Sequence, residues 1–218
     1  MTDDAGRARA AVRTVALAWT GASGMPYGLR LLECLLGSGV RVQLLYSQAA
    51  QIVARQEMGL TLPSRPADMQ GALSARIAVP EGQLEVFGRE EWFAPIASGS
   101  NPPDAMIICP CSMGTLAAIA AGLADNLIER AADVVLKEGR RLILVPRETP
   151  YSILHLENML RLARAGAVIL PPNPGFYHRP QTVADLVDFV VARIMDQLGI
   201  AHDLIRRWGD PEDRDPPA

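Results

Sequence analysis

Five runs of this chain are short and almost wholly apolar: TVALAW, VRVQLLYS, AMIICPCS, RLILVPRE and AVILPPN. Each is followed by a segment of helical length. YGLRLLECLLGSG stops at Gly37 or Gly39, QAAQIVARQEMG stops at Gly59, and SILHLENMLRLARAG stops at Gly166. TLAAIAAGLADNLIERAADVVLKEG reads as helix broken between Gly122 and Asn126. TVADLVDFVVARIMDQLG reads as a helix capped by Thr182, with Asp185 in its first turn. Residues 60–100 are less regular and predict one helical piece, an edge strand and an exposed loop. Strands without polar alternation are covered on both faces, and regular alternation with helices means parallel pairing. The expected fold is therefore α/β, a single-domain Rossmann-like (flavodoxin-like) parallel sheet with helices on both faces. It is expected over 13–209, with flexible tails at 1–12 and 210–218. At 218 residues and 49% hydrophobic, the chain is large enough for one such core.

In this architecture ligands bind beyond the carboxyl ends of the strands, where the strand order reverses. Those junctions carry the informative residues. After TVALAW comes TGASGMPYG, with glycines at 21, 24 and 28, Ser23 between them and Pro26 suited to a first helical turn. The spacing matches neither GxGxxG nor a P-loop. The turn still offers backbone N–H groups at a helix start, where an anion can sit, or else it is a plain turn capped by Ser23. CSMGT, at 111–115, repeats the theme with Ser112, Gly114 and Thr115, and Ser47 ends the second strand. Each hydroxyl alone reads equally as a helix cap; three at three strand ends converge on one edge.

Arg147 and Glu148 follow the strand LILVP, either as a solvated turn or as a phosphate fork and a proton-transfer carboxylate. Arg130 and Lys137 lie seven apart on one helix, so they share a face, and acids at 129, 133 and 138 can pair with them. Arg193 interrupts the apolar pattern of FVVARIMDQL and requires an Asp, a subunit interface or a ligand phosphate. Tyr177 lies in the stiff loop PGFYHRP, and Glu57 ends a helix otherwise free of acids.

The net charge of −3 gives no global attraction to nucleic acid or anionic membranes. No apolar stretch is long enough to span a bilayer. Arg7, Arg9 and Arg13 ahead of an apolar run faintly suggest a secretory leader. Asp3 and Asp4 and the shortness of the run argue for a first strand instead, and so for the cytoplasm. Three cysteines and three scattered histidines form no disulfide framework and no metal-ligand spacing.

Taken in order, TGASG, VFGREEWFAPIASGS, CPCSMGTLAAIAAGLADNLIERAADVVLKEGR, LVPRETPYS, LHLENM and PGFYHRPQTVADLVDFVVARI resemble the UbiX-type flavin prenyltransferases. These belong to the homo-oligomeric flavin-containing decarboxylase-like fold. The resemblance runs from about 13 to about 209. It implies attachment of a dimethylallyl unit, from dimethylallyl monophosphate, to N5 and then C6 of reduced FMN without a metal. The product, prenylated FMN, would serve a UbiD-type decarboxylase. It also implies a homo-oligomer, trimers joined into a dodecamer, with sites at subunit interfaces.

By that resemblance Gly21, Ala22 and Ser23 touch FMN, as do Ser47, the Ser112–Met113–Gly114–Thr115 loop and Arg147. Tyr177 and Arg193 bind the prenyl phosphate, with Lys137 arriving from a neighbouring subunit. Ser23, Glu57, Arg130 and Glu148 serve catalysis, and Trp92 and Trp208 offer aromatic faces near the prenyl group. Met25–Pro26 and Met113 depart from the small or polar residues expected at their positions. Two rival readings share the fold: an FMN-dependent decarboxylase and a non-catalytic FMN-binding subunit. The first would want a histidine early in the chain, and none precedes His155.

Overall fold

A computed structural model of the chain describes residues 12–207 and 209. Both expected tails fall outside the described residues, except for residue 12.

Six parallel strands form one sheet: β1 (Thr14–Trp19), β2 (Arg41–Tyr46), β3 (Leu84–Phe87), β4 (Ala105–Cys111), β5 (Arg141–Pro146) and β6 (Val168–Ile169). Their order is β3-β2-β1-β4-β5-β6. From β1 the chain winds outward to β3, then returns to the centre and winds the other way. The reversal therefore lies between β1 and β4.

Side-chain alternation along the strands feeds two separate cores. Val15, Leu17 and Trp19 of β1 face one, with α1 (Met25–Gly37) and α7 (Val183–Leu198) packed over it. Ala16 and Ala18 face the other, formed with α4 (Met113–Ala120), α5 (Leu127–Lys137) and α6 (Ile153–Arg164). Burial on both faces is what the unbroken apolar strands required.

The irregular stretch resolves as expected: α3 (Pro66–Arg76), edge strand β3, and a short 3₁₀ turn at Pro95–Ala97. The remaining helix, α2 (Gln48–Met58), ends on Gly59. The long helical stretch breaks at Gly122 into α4 and α5. Thr182 caps α7, its hydroxyl accepting from the Asp185 N–H, while the Asp185 carboxylate accepts from Thr182 and Gln181 N–H. Those bonds to the charged form hold Asp185 below the usual carboxylate range. The last strand has two residues: Leu170 N–H still donates to the Leu144 carbonyl (2.8 Å), and Pro171 and Pro172 beyond it carry no N–H to extend the ladder.

Candidate active site: a cleft at the reversal of strand order

The ends of β1 and β4 are joined by Thr20. It is buried, its Oγ1 donating to the Pro110 carbonyl (2.8 Å) and accepting from the Ser112 N–H (2.7 Å). Ser112 in turn caps α4, its Oγ accepting from Thr115 N–H (3.2 Å) and lying 3.0 Å from Thr115 Oγ1. Ser47 N–H donates to the Trp19 carbonyl (3.0 Å), and Ser47 Oγ caps α2 by accepting from Ala50 N–H (3.1 Å). Buried Asn126 caps α5, its Oδ1 accepting from Ile128 and Glu129 N–H. Three helix N-termini thus meet around one cleft of about 350 Å³, whose walls include Gly21, Ser47, Ser112, Gly114 and Thr115. A Cβ on Gly21 would stand 2.5 Å from Ala49 Cβ, so only glycine lets the β1–α1 turn approach α2 this closely.

The start of α1 does hold an anion, and it belongs to the chain itself. The Glu57 carboxylate accepts from Gly24 N–H (3.1 and 3.0 Å to its two oxygens) and from Met25 N–H (2.8 Å). Gly24, at φ 121°, is the N-cap, and Ser23 makes no cap bond there. The Ser23 carbonyl accepts from Arg147 Nε at 3.3 Å, which ties the β5 end to this turn. Ala22 is buried and Ser23 is exposed. Glu148 Oε1 accepts from Thr149 N–H (3.1 Å) at the same end of β5.

Other expected residues lie apart. The Met113 side chain is in the core, and the cleft is lined by its neighbours Ser112, Gly114 and Thr115. Arg130 donates to the Ala97 carbonyl (3.0 Å) and to Asp133 (2.7 Å), and Lys137 pairs with Glu138. Lys137 closes α5 eleven residues after Asn126, roughly 16 Å along the helix from the cleft. Arg193 bonds Asp196 (2.7 Å) and lines a second cavity of about 320 Å³ beside β6, shared with Phe189. Tyr177 stands edge-on to Phe189, ring centroids 5.6 Å apart. Trp92 is half exposed beside fully exposed Phe93, and Trp208 lies outside the described residues. His155 is engaged as a helix cap: its Nδ1 accepts from Ser152 N–H (3.2 Å).

Three polar residues of the cleft were not picked out as site residues from the sequence, Arg89, Asn126 and Glu129, nor were the apolar Ala49 and Ile128. Asn126 carried a legible signal, because it stands immediately ahead of an apolar helical pattern, where caps belong. Arg89 carried none, since its loop reaches the cleft through a backbone bond from Leu127 N–H to the Arg89 carbonyl (2.8 Å).

The flavoprotein family model matches residues 6–195. The flavin prenyltransferase UbiX of Pseudomonas aeruginosa is 58% identical over 196 residues, covering 90% of this chain and 94% of that protein. The chain belongs to the UbiX flavin prenyltransferase family. Among solved UbiX-family structures, AnUbiX (PadA1) in complex with FMN and dimethylallyl pyrophosphate matches with a TM-score of 0.81 at 40% identity. That match covers 92% of this chain and all (100%) of that one. A dodecameric FMN-dependent Ubix-like decarboxylase from Escherichia coli O157:H7 matches with a TM-score of 0.77 at 44% identity, covering 89% and 98%.

A UbiX-type flavin site fits the donor set of this cleft. Hydroxyls of Ser47, Ser112 and Thr115 and the N-termini of α2 and α4 suit a phosphorylated, hydroxyl-rich chain. Among the described residues no group of three or more His, Cys, Asp or Glu is placed to hold a metal ion. No helix among them is long and apolar enough to cross a membrane.

Proposed function

We propose that this chain joins the dimethylallyl group of dimethylallyl monophosphate to N5 and C6 of reduced FMN, releasing phosphate and one proton. The reading is carried by a hydroxyl- and N–H-lined cleft at the strand-order reversal, in a chain 58% identical to a flavin prenyltransferase. Bound reduced FMN supplies the nucleophilic ring; everything else falls to this chain's residues.

Gly21, Ala22, Ser23, Ser47, the Ser112–Thr115 turn and Arg147 hold the flavin. Lys137, Arg147, Arg193 and the Tyr177 hydroxyl meet the donor phosphate. As the allylic C–O bond breaks, negative charge grows on the departing phosphate, so these groups bind the transition state more strongly than the ground state. Their charges stand where other enzymes use a metal ion. The Trp92 ring offers a face to the allylic cation, worth up to about 2 kcal/mol when water is excluded. Ser23, Glu57, Arg130 and Glu148 surround the reacting edge. Closure of the ring onto the prenyl double bond adds one proton to the alkene and removes one from C6; Glu148, Glu57 or the released phosphate takes the C6 proton and one of them supplies the other.

Within one chain these groups do not meet. Lys137 is at the far end of α5, and Arg193 lines a different cavity together with Phe189, against whose ring Tyr177 stands edge-on. We therefore place the complete site between subunits of a homo-oligomer, a dodecamer as in the E. coli relative. The cell compartment is the cytoplasm, and the consumer is a UbiD-type decarboxylase. The test is reconstitution. A protein-free filtrate of the anaerobic reaction should activate an apo-decarboxylase of that type, and a filtrate prepared without the chain should not. Equal activation by both would refute the reading.

A further inference from the structure

We infer that Arg89 selects a phosphorylated flavin, its guanidinium binding the phosphate monoester of FMN; this rests on the flavin reading of the cleft. The first N–H groups of a helix lack intrahelical acceptors. At α5 they are already used: Leu127 donates to the Arg89 carbonyl, and Ile128 and Glu129 donate to Asn126 Oδ1. At α1 the Glu57 carboxylate holds them. At α2 and α4 the cap hydroxyls accept only from Ala50 and Thr115. The N–H groups of Gln48, Ala49, Met113 and Gly114 therefore remain for an anion.

A phosphate monoester near neutral pH carries about −1.5 to −2 charges, more than helix ends neutralise. Among the residues lining the cleft, Arg89 is the only cation. Its backbone is fastened to the rim by the Leu127 bond, while its exposed side chain joins none of the ion pairs of the described residues. The acidic residue of the same wall, Glu129, turns its carboxylate to the Asp125 N–H (2.9 Å). An uncommitted guanidinium beside open helix ends is suited to forked phosphate binding.

The experiment is titration of wild type, R89A and R89K with FMN and with riboflavin, which lacks the phosphate. Wild type should prefer FMN. R89A should weaken FMN by about tenfold or more, leave riboflavin unchanged, and R89K should restore part of the loss. The Leu127–Arg89 bond uses the backbone carbonyl and survives each substitution. Unchanged FMN affinity in R89A, or equal loss for both flavins, would overturn the assignment. Wild type that binds neither flavin would overturn the flavin reading beneath it.

Discussion

Replacing Thr20 by valine keeps nearly the same shape and removes one hydroxyl. In the fold that hydroxyl holds the β1 end to the β4 end and positions the Ser112 cap. Pro110's carbonyl keeps a second donor, Thr20 N–H at 3.2 Å, so the substitution orphans mainly the Ser112 N–H. Two lost hydrogen bonds and one orphaned donor amount to about 2–3 kcal/mol. For a chain of this size that lowers the melting midpoint by roughly 4–12 °C. Thr20→Ser retains the hydroxyl and should cost less than about 1.5 kcal/mol, the loss of one buried methyl. Thermal and urea unfolding of the three proteins, with FMN titrations of each, measure both consequences. FMN affinity should fall in T20V and hold in T20S. If T20V melts with wild type, or T20S falls as far as T20V, the hydroxyl does not hold the two strand ends together.

Glu57→Ala should destabilise the fold by about 1–2 kcal/mol, since the carboxylate holds the open end of α1; urea midpoints should place Glu57→Gln between it and wild type. Glu148→Gln should leave FMN affinity within about threefold while prenyl transfer falls at least about a hundredfold, as loss of a proton-transfer group predicts; unchanged turnover would remove Glu148 from the reaction. Burial raises the Cys34 thiol from 9.0 to about 11 and Cys111 to about 12, so the folded state retains protons the unfolded chain gives up. Their stabilising contribution is complete below about pH 9 and is lost as pH rises through those values; unfolding free energies from pH 8 to 11 should fall in wild type and fall less in Cys34→Ala.

The sheet was legible because TVALAW, AMIICPCS and RLILVPRE lack polar alternation, and a two-faced covered sheet is the stable solution for such strands. The cleft was legible in part because Ser47 and Ser112 cap helices that start at strand ends, a local signal. Glu57 was not legible as a cap: Gly24 is 33 residues away, and the contact exists only because α2 packs against the β1–α1 turn. Arg89 was hidden for the same reason, arriving through a loop whose path depends on α5. Arg193 and Asp196 are three apart on one helix, so that pairing follows from helical geometry. Where Lys137 and Arg193 act depends on neighbouring subunits, which helix periods do not encode.

Anaerobic incubation of the protein with reduced FMN and dimethylallyl monophosphate, followed by mass spectrometry of the released flavin, decides whether the chain transfers the prenyl group. The expected outcome is a flavin heavier by one C5H8 unit, with phosphate released in equal amount. Unmodified FMN recovered from a protein that binds it, with the monophosphate and the diphosphate donor alike, would contradict it.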